Sequence, residues 1–108
     1  MSRFADILER LAATIEARKG ADPESSYTAK LLAGGIDRPA KKFGEEAFET
    51  VIAAAQGDQA GLAAESADLI YHWLVLLAAA DVSLDDVAAK LEAREGVSGL
   101  AEKASRGQ

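Results

Sequence analysis

Apolar residues recur at helical spacing along most of the chain, and no segment alternates apolar and polar residues with a period of two over a useful length. Near the N-terminus, five apolar side chains fall within an arc of about 100° when residues are placed at roughly 100° per position. They are Phe4, Ile7, Leu8, Leu11 and Ile15. The pattern therefore predicts an all-α fold.

Capping residues and glycines divide this pattern into five predicted helices. In chain order, they run from about Ser2 to Lys19, from Ser25 or Ser26 through Leu32, from Asp37 to Gln56, from Asp58 to Ala80, and from Ser83 to just before Gly96. Asp37 is the predicted N-cap of the third helix, and Pro39 lies in its first turn, where a missing N–H costs nothing. Ser83 and Asp86 approximate a capping box. We expect the small, polar segment 97–108 to be loosely ordered.

The length of 108 residues predicts a single domain over residues 1–108, and the 49% apolar content, mostly Ala and Leu, favours helices. The third and fourth helices are joined by a tight turn near Gly57, so we expect them to pack antiparallel in a helix bundle. The stretch Leu69–Ala80 is apolar nearly all round, more than one short neighbour can bury. We therefore expect a homodimer to complete the bundle.

Charge and composition exclude several classes of protein. A net charge of −6 without a basic stripe argues against nucleic-acid binding, and the absence of cysteine excludes disulfides and thiolate metal sites. The first ten residues are charged and lack an apolar segment, so no signal peptide is expected. The apolar run Leu69–Ala80 is too short to span a bilayer and contains His72. These features predict a cytoplasmic protein without a membrane partner.

The third predicted helix carries a pair of carboxylates on one face. Glu46 and Glu49 are three residues apart, and Lys42 lies one turn before Glu46 on the same side. A surface ion pair between Lys42 and Glu46 is the simplest structural explanation. The opposite side is expected to be apolar and contains Phe43, Ala47, Val51 and Ala54.

The fourth predicted helix carries a second pair, Glu65 and Asp68, and His72 follows on the same face. The surrounding residues are apolar, so these carboxylates should be partly buried and should need a partner or a metal. For His72, an interior hydrogen-bonded histidine is favoured over a catalytic base.

If the two antiparallel helices bring both pairs together, their oxygens suit a hard divalent cation, Mg²⁺ or Mn²⁺. A di-iron bundle would require Glu-x-x-His on two helices, and the only histidine is in no such motif. A non-catalytic dimerisation module, with the acidic residues serving solubility, remains an alternative.

The surroundings of these pairs resemble the phosphoribosyl-ATP pyrophosphatases, a branch of the MazG-like all-α nucleotide pyrophosphohydrolases. The similar stretches are residues 26–32 (SYTAKLL), Gly35 with Arg38, 41–46 (KKFGEE), 65–72 (ESADLIYH) and 82–87 (VSLDDV). Two positions depart from the family's pattern: Pro39 stands where an aliphatic residue is expected, and Asp81 where Gly or Asn is expected.

The resemblance implies hydrolysis of the ATP-derived nucleotide phosphoribosyl-ATP to phosphoribosyl-AMP and pyrophosphate, the second step of histidine biosynthesis. It implies Mg²⁺ held by Glu46, Glu49, Glu65 and Asp68. Catalytic roles fall to Glu45, as the candidate base, with Glu46 and Glu49; a surface role for Glu45 is the alternative. The substrate-binding candidates are Lys30, Arg38 and Lys42 for phosphates, and Tyr27 and Thr28 for the ribosyl or base portion. A housecleaning nucleoside triphosphate pyrophosphohydrolase is the nearest rival function.

Overall fold

The computed structural model describes residues 2–96, which form five α-helices and no β-strand. The helices are α1 (Arg3–Ala17), α2 (Tyr27–Ala33), α3 (Asp37–Ala55), α4 (Gln59–Ala79) and α5 (Leu84–Ala93). The predicted all-α class and the predicted order of helices are confirmed. Segment 97–108, predicted to be loosely ordered, lies outside the described residues.

Serine side chains cap three of the helices. The hydroxyls of Ser2 and Ser26 each accept the backbone N–H three residues further on. The predicted capping box at α5 is present, because Ser83 accepts the N–H of Asp86 at 3.0 Å and the Asp86 carboxylate accepts the N–H of Ser83 at 3.0 Å. Each such cap satisfies a helix-terminal N–H and stabilises its helix by about 1 kcal/mol.

The prediction that Asp37 is the N-cap of the third helix is wrong. Ile36 occupies the capping position and makes no side-chain capping bond, and Asp37 is the first helical residue. Asp37 still lies in the first turn, where the positive end of the helix dipole favours a negative charge. Pro39 lies in that turn as predicted, and it is fully buried.

The helices α3 and α4 form an antiparallel hairpin, the most extensive helix pair within residues 2–96. At the end of α3, the N–H of Gly57 donates to the carbonyl of Ala54, and the N–H of Asp58 donates to that of Ala53, both at 3.1 Å. Gly57 has a φ of 70°, which completes a Schellman motif. The Asp58 carboxylate then accepts the N–H of Gly61 at 2.8 Å and starts α4. This short connection sets the two acidic faces opposite each other.

The hydrophobic core lies between α1, α2 and α4. Its buried members are Ile15 from α1, Leu31 from α2, and Leu74 and Val75 from α4. Burying each of these side chains stabilises the fold by about 1.5–3 kcal/mol. The face that α3 turns toward α4 is different, because one of its three buried residues is the carboxylate Glu46.

Several apolar residues expected to face the interior are exposed. On α1, Phe4 and Ile7 are exposed although they share the predicted stripe with the buried Ile15. On α3, Val51 is 63% exposed, and the exposed Ala54 also departs from the expected apolar packing side. The exposed apolar residues form a stripe along the side of α3 opposite Glu46, which we call the outer face of α3. It consists of Phe48, Val51, Ile52 and Ala55.

The helix α4, at 21 residues, is long and apolar enough to match a membrane span by length and composition alone. The central helix of a bundle has the same properties, and α4 contacts α1, α2 and α3. It also carries Glu65, Asp68 and His72 along one side. We therefore interpret α4 as the central helix of the bundle.

Candidate metal and substrate site

Three of the predicted ligands meet between α3 and α4. Glu46 and Glu49 lie one turn apart on α3, and Glu65 lies across from them on α4. One carboxylate oxygen from each residue can be chosen so that all three lie within 4.8 Å of one another. We call Glu46, Glu49 and Glu65 the carboxylate cluster.

The cluster runs from the interior to the surface. Glu46 is only 8% exposed, Glu65 is half-buried and Glu49 is exposed. The pKa of Glu65 is raised, first by desolvation and then by the negative charges of Glu49, Glu46 and Asp68. No cation of the described chain forms an ion pair with these three residues. Converging carboxylates without a protein cation fit a hard divalent cation such as Mg²⁺.

The fourth predicted ligand, Asp68, is placed apart from the cluster. Its carboxylate is exposed one turn beyond Glu65 on α4 and is not among the oxygens that meet within 4.8 Å. It remains close enough to raise the pKa of Glu65. Asp68 therefore lies at the open edge of the site.

Lys42 pairs with Glu45 in the structure, and no Lys42–Glu46 ion pair forms. The Lys42 ammonium lies 3.3 Å from Oε1 of Glu45. The pKa of Lys42 is raised, mainly by this hydrogen bond and further by its neighbour Tyr27. The exposed Glu45, the half-buried Lys42 and the exposed Tyr27 thus lie together beside the buried Glu46.

A match to a known family extends over most of the chain. The model of the phosphoribosyl-ATP pyrophosphohydrolase family matches residues 8–95. The chain belongs to the phosphoribosyl-ATP pyrophosphohydrolase family. A relative from a Caulobacter species, named phosphoribosyl-ATP pyrophosphatase, is 72% identical over 107 residues that cover 98% of each chain. Another of that name, from Cereibacter sphaeroides, is 67% identical over 101 residues that cover 94% of this chain and 98% of the relative. The resemblance found in the sequence is confirmed.

The phosphoribosyl-ATP pyrophosphohydrolase match spans all the predicted substrate-binding residues. In the structure, these residues lie in different environments. Thr28 is committed within the protein, since its hydroxyl lies 2.6 Å from that of Tyr71 and ties α2 to α4. Lys30 and Tyr27 line a surface cavity of about 360 Å³ together with the loop before α2. Arg38 is exposed in the first turn of α3.

His72 is an interior residue, as favoured from the sequence. It is 7% exposed, and its Nδ1 lies 2.9 Å from the carbonyl oxygen of Asp68. Its ring packs edge-on against Tyr71 and Tyr27, with centroids 4.9 and 6.4 Å away. Its Nε2 is buried without a hydrogen-bond partner among residues 2–96.

Two residues that make hydrogen bonds between helices, Tyr71 and Thr50, were not singled out from the sequence. Tyr71 holds Thr28, and Thr50 donates its hydroxyl to carbonyl oxygens on both α3 and α4. Thr50 lies four residues after Glu46 and therefore on the same helix face. The sequence signal that could have identified Thr50 is a small hydroxyl side chain on the helix face that carries Glu46 and Glu49.

Proposed function

We propose that this chain hydrolyses phosphoribosyl-ATP to phosphoribosyl-AMP and pyrophosphate, the second step of histidine biosynthesis. The observation that carries the proposal is the carboxylate cluster between α3 and α4, in a chain of the phosphoribosyl-ATP pyrophosphohydrolase family. Relatives that are 65–72% identical bear the name phosphoribosyl-ATP pyrophosphatase. A biosynthetic enzyme with this substrate is expected in the cytoplasm.

The cluster would hold Mg²⁺ through Glu46, Glu49 and Glu65, with Asp68 available at the edge of the site. When bound, Mg²⁺ neutralises the negative charge that develops on the pyrophosphate leaving group. This also explains how a chain with a net charge of −6 accepts a polyanion. The pKa of Glu65 is raised by desolvation first and then by the negative charges of Glu49, Glu46 and Asp68, and a cation bound at the cluster would offset these effects, which supports the proposal.

Glu45 is the proposed base that orients and deprotonates the attacking water. It is adjacent to the cluster in sequence, solvent-accessible, and turned about 100° from Glu46 around α3. Its partner Lys42, at 3.3 Å, keeps a positive charge beside it. Because Glu45 lies outside the carboxylate cluster, it is not needed as a metal ligand and can act on the attacking water.

Lys42, Lys30 and Arg38 are the proposed phosphate contacts, and Tyr27 and Thr28 the proposed contacts to the ribosyl or base portion. Lys42 is the best supported, because it neighbours both Glu46 and Tyr27. Since the Thr28 hydroxyl already bonds to Tyr71, we expect Thr28 to act mainly by fixing α2.

We also propose that the protein is a homodimer and that the outer face of α3 lies in the interface. Phe48 is 66% exposed and Val51 63% exposed, one turn apart on the same stripe. Apolar stripes of this kind on soluble proteins mark association surfaces. In a symmetric dimer the same patch of each subunit meets its copy.

Pyrophosphate release with Mg²⁺, measured with phosphoribosyl-ATP, ATP, dCTP and dUTP, tests the proposed reaction. We expect turnover of phosphoribosyl-ATP in preference to the other three nucleotides, and loss of that turnover in Glu49→Ala and Asp68→Ala. The matched control is Glu92→Ala, an exposed glutamate on α5. Preferential turnover of a plain nucleotide would replace the proposal by a housecleaning pyrophosphohydrolase. Absence of all turnover by folded protein would favour a dimerisation module.

A further inference from the structure

The hydroxyl of Thr50 joins the two helices that carry the carboxylate cluster. Its Oγ1 lies 2.7 Å from the carbonyl oxygen of Glu46, four residues back on α3, and 3.3 Å from the carbonyl oxygen of Glu65 on α4. One hydroxyl proton is therefore shared between two acceptors, with the shorter contact on its own helix. Within residues 2–96, this is the one side-chain hydrogen bond between α3 and α4.

The two acceptors are the backbones of two members of the carboxylate cluster. Glu46 is its buried member and Glu65 its half-buried member on the opposite helix. The contact from Thr50 to both carbonyls therefore lies between the two backbones at the level of the cluster. A change in the separation of the two backbones would move the Glu65 carboxylate relative to both carboxylates on α3.

The cluster itself opposes this close approach of the helices. Three carboxylates whose oxygens lie within 4.8 Å repel one another before a cation binds. Among the fully buried residues of α3, only Pro39 and Ala53 are apolar, and the third is Glu46. A polar contact between the helices therefore acts where repulsion tends to separate them.

We infer that Thr50 is a positioning residue for the carboxylate cluster, holding Glu46 and Glu65 at the spacing that a divalent cation requires. The inference rests on the proposed metal site. Residues that orient metal ligands from outside the coordination shell affect metal affinity by about 10–100-fold when they are replaced. Thr50 acts through the backbone of the ligands, so we expect an effect near the lower end.

An ordinary backbone bond from a threonine hydroxyl is the competing explanation, and the chain contains a matched example. Thr14 on α1 donates its hydroxyl to the carbonyl of Arg10, four residues back, at 3.0 Å, and it is exposed. Thr14 thus has the same local bond as Thr50 without the second acceptor on another helix. Thr14→Val removes only the local bond, whereas Thr50→Val removes both contacts at nearly constant volume.

Binding of Mn²⁺ to the full-length protein, followed by the electron paramagnetic resonance signal of the free ion, tests the inference without relying on turnover. We expect Thr50→Val to raise the Kd for Mn²⁺ about tenfold. Thr50→Ser, which keeps the hydroxyl, should restore the Kd to within about twofold of the wild-type value, and Thr14→Val should leave it unchanged. Urea unfolding of each variant establishes that it is folded.

Three outcomes would contradict the inference in different ways. An unchanged Kd in Thr50→Val would show that the hydroxyl does not position the cluster. An equal loss of affinity in Thr50→Val, which lacks the hydroxyl, and Thr50→Ser, which keeps it, would show that the hydroxyl is not the group that positions the cluster. Failure of the wild-type protein to bind Mn²⁺ would contradict the metal site itself, and with it the role of Thr50. If Thr50→Val does not fold, Thr50→Ala removes the same hydroxyl and is judged by the same criteria.

Discussion

Within the carboxylate cluster, Glu65 is subject both to desolvation and to the negative charges of its neighbours. It is half-buried on α4, and its pKa is raised by desolvation first and then by the charges of Glu49, Glu46 and Asp68. The ionised form of Glu65 is therefore disfavoured in the metal-free protein. A bound cation would favour the ionised form of Glu65. The same carboxylate charges that repel one another in the metal-free protein would therefore attract the metal in the proposed site.

The raised pKa of Glu65 predicts a pH dependence of the free energy of unfolding. The stabilising contribution of protonated Glu65 is fully present below the ordinary pKa of 4.5. It is lost as the pH rises through the raised pKa of the folded protein. In EDTA, we expect the Tm of Glu65→Gln relative to wild type to increase over this range and then level off.

Thermal unfolding of the two proteins at a series of pH values measures this difference directly. Glu92→Gln on α5 is the control, because Glu92 is exposed and far from the cluster in sequence. Its Tm relative to wild type should show no comparable rise. A Glu65→Gln difference that is independent of pH would contradict the account of Glu65.

Helical spacing in the sequence predicted which carboxylates share a face, but not which of them meet. Glu46 and Glu49 converge with Glu65, whereas Asp68, at the same spacing, lies at the open edge. Spacing likewise pointed to Glu46 as the partner of Lys42, whereas the structure pairs Lys42 with Glu45. The rotation of α3 against α4 and the side-chain rotamers decide these contacts, and both depend on tertiary packing.

At the scale of whole elements, α3 and α4 end in the same way with different residues. Each has a Schellman motif, with the N–H of Val82 donating to the carbonyl of Leu77 at 2.9 Å in α4. The left-handed position is Gly57 after α3, with φ 70°, and Asp81 after α4, with φ 58°. Among residues 2–96, Asp81 is the one residue other than glycine with a positive φ. Its carboxylate accepts a hydrogen bond from the Lys19 ammonium at 2.9 Å.

This geometry predicts that Asp81→Gly is more stable than Asp81→Ala by about 1 kcal/mol, since only glycine adopts the left-handed conformation without a steric penalty. Both variants lose the exposed Lys19 pair, so its contribution cancels in the comparison. Urea unfolding of the two variants measures the difference. Equal stabilities would contradict the assignment of a left-handed cap to position 81.

The helices themselves were predictable because their caps and glycines are local signals. Ser26, Asp58 and Ser83 cap the helices that the sequence predicted. The start of α3 was misplaced by one residue, at Asp37, because several first-turn positions tolerate proline equally. The position of Pro39 therefore did not determine which residue precedes the helix.

At the scale of the whole molecule, the described chain leaves apolar side chains exposed on two helices. The outer face of α3 and the N-terminal half of α1, with Phe4 and Ile7, are both exposed. From the sequence, we expected a homodimer because the stretch Leu69–Ala80, mostly in α4, is apolar nearly all round. In the structure, the exposed apolar residues of α3 and α1 lie outside this stretch. Which face remains free is decided by how α1 and α2 cover α4, and helical periodicity alone does not determine this.

Light scattering should give a mass of twice the 11.3 kDa of the chain at micromolar concentration. We expect Phe48→Glu to shift the protein to the monomer mass, because a charge would be buried without a partner in the interface. Ala13→Glu places the same charge on an exposed position of α1 and should leave the dimer intact. A monomeric wild-type protein, or a dimeric Phe48→Glu, would contradict the proposed interface.

The most direct test of the central claim is the rate of pyrophosphate release from phosphoribosyl-ATP at saturating Mg²⁺ in Glu46→Gln, Glu49→Gln and Glu65→Gln. The account predicts that each folded variant loses at least about a hundredfold in rate, because stabilisation of transition-state charge by a metal ion is worth several kcal/mol. Glu92→Gln should retain the wild-type rate. Wild-type turnover in any folded cluster variant would contradict the claim that these three carboxylates form the catalytic metal site.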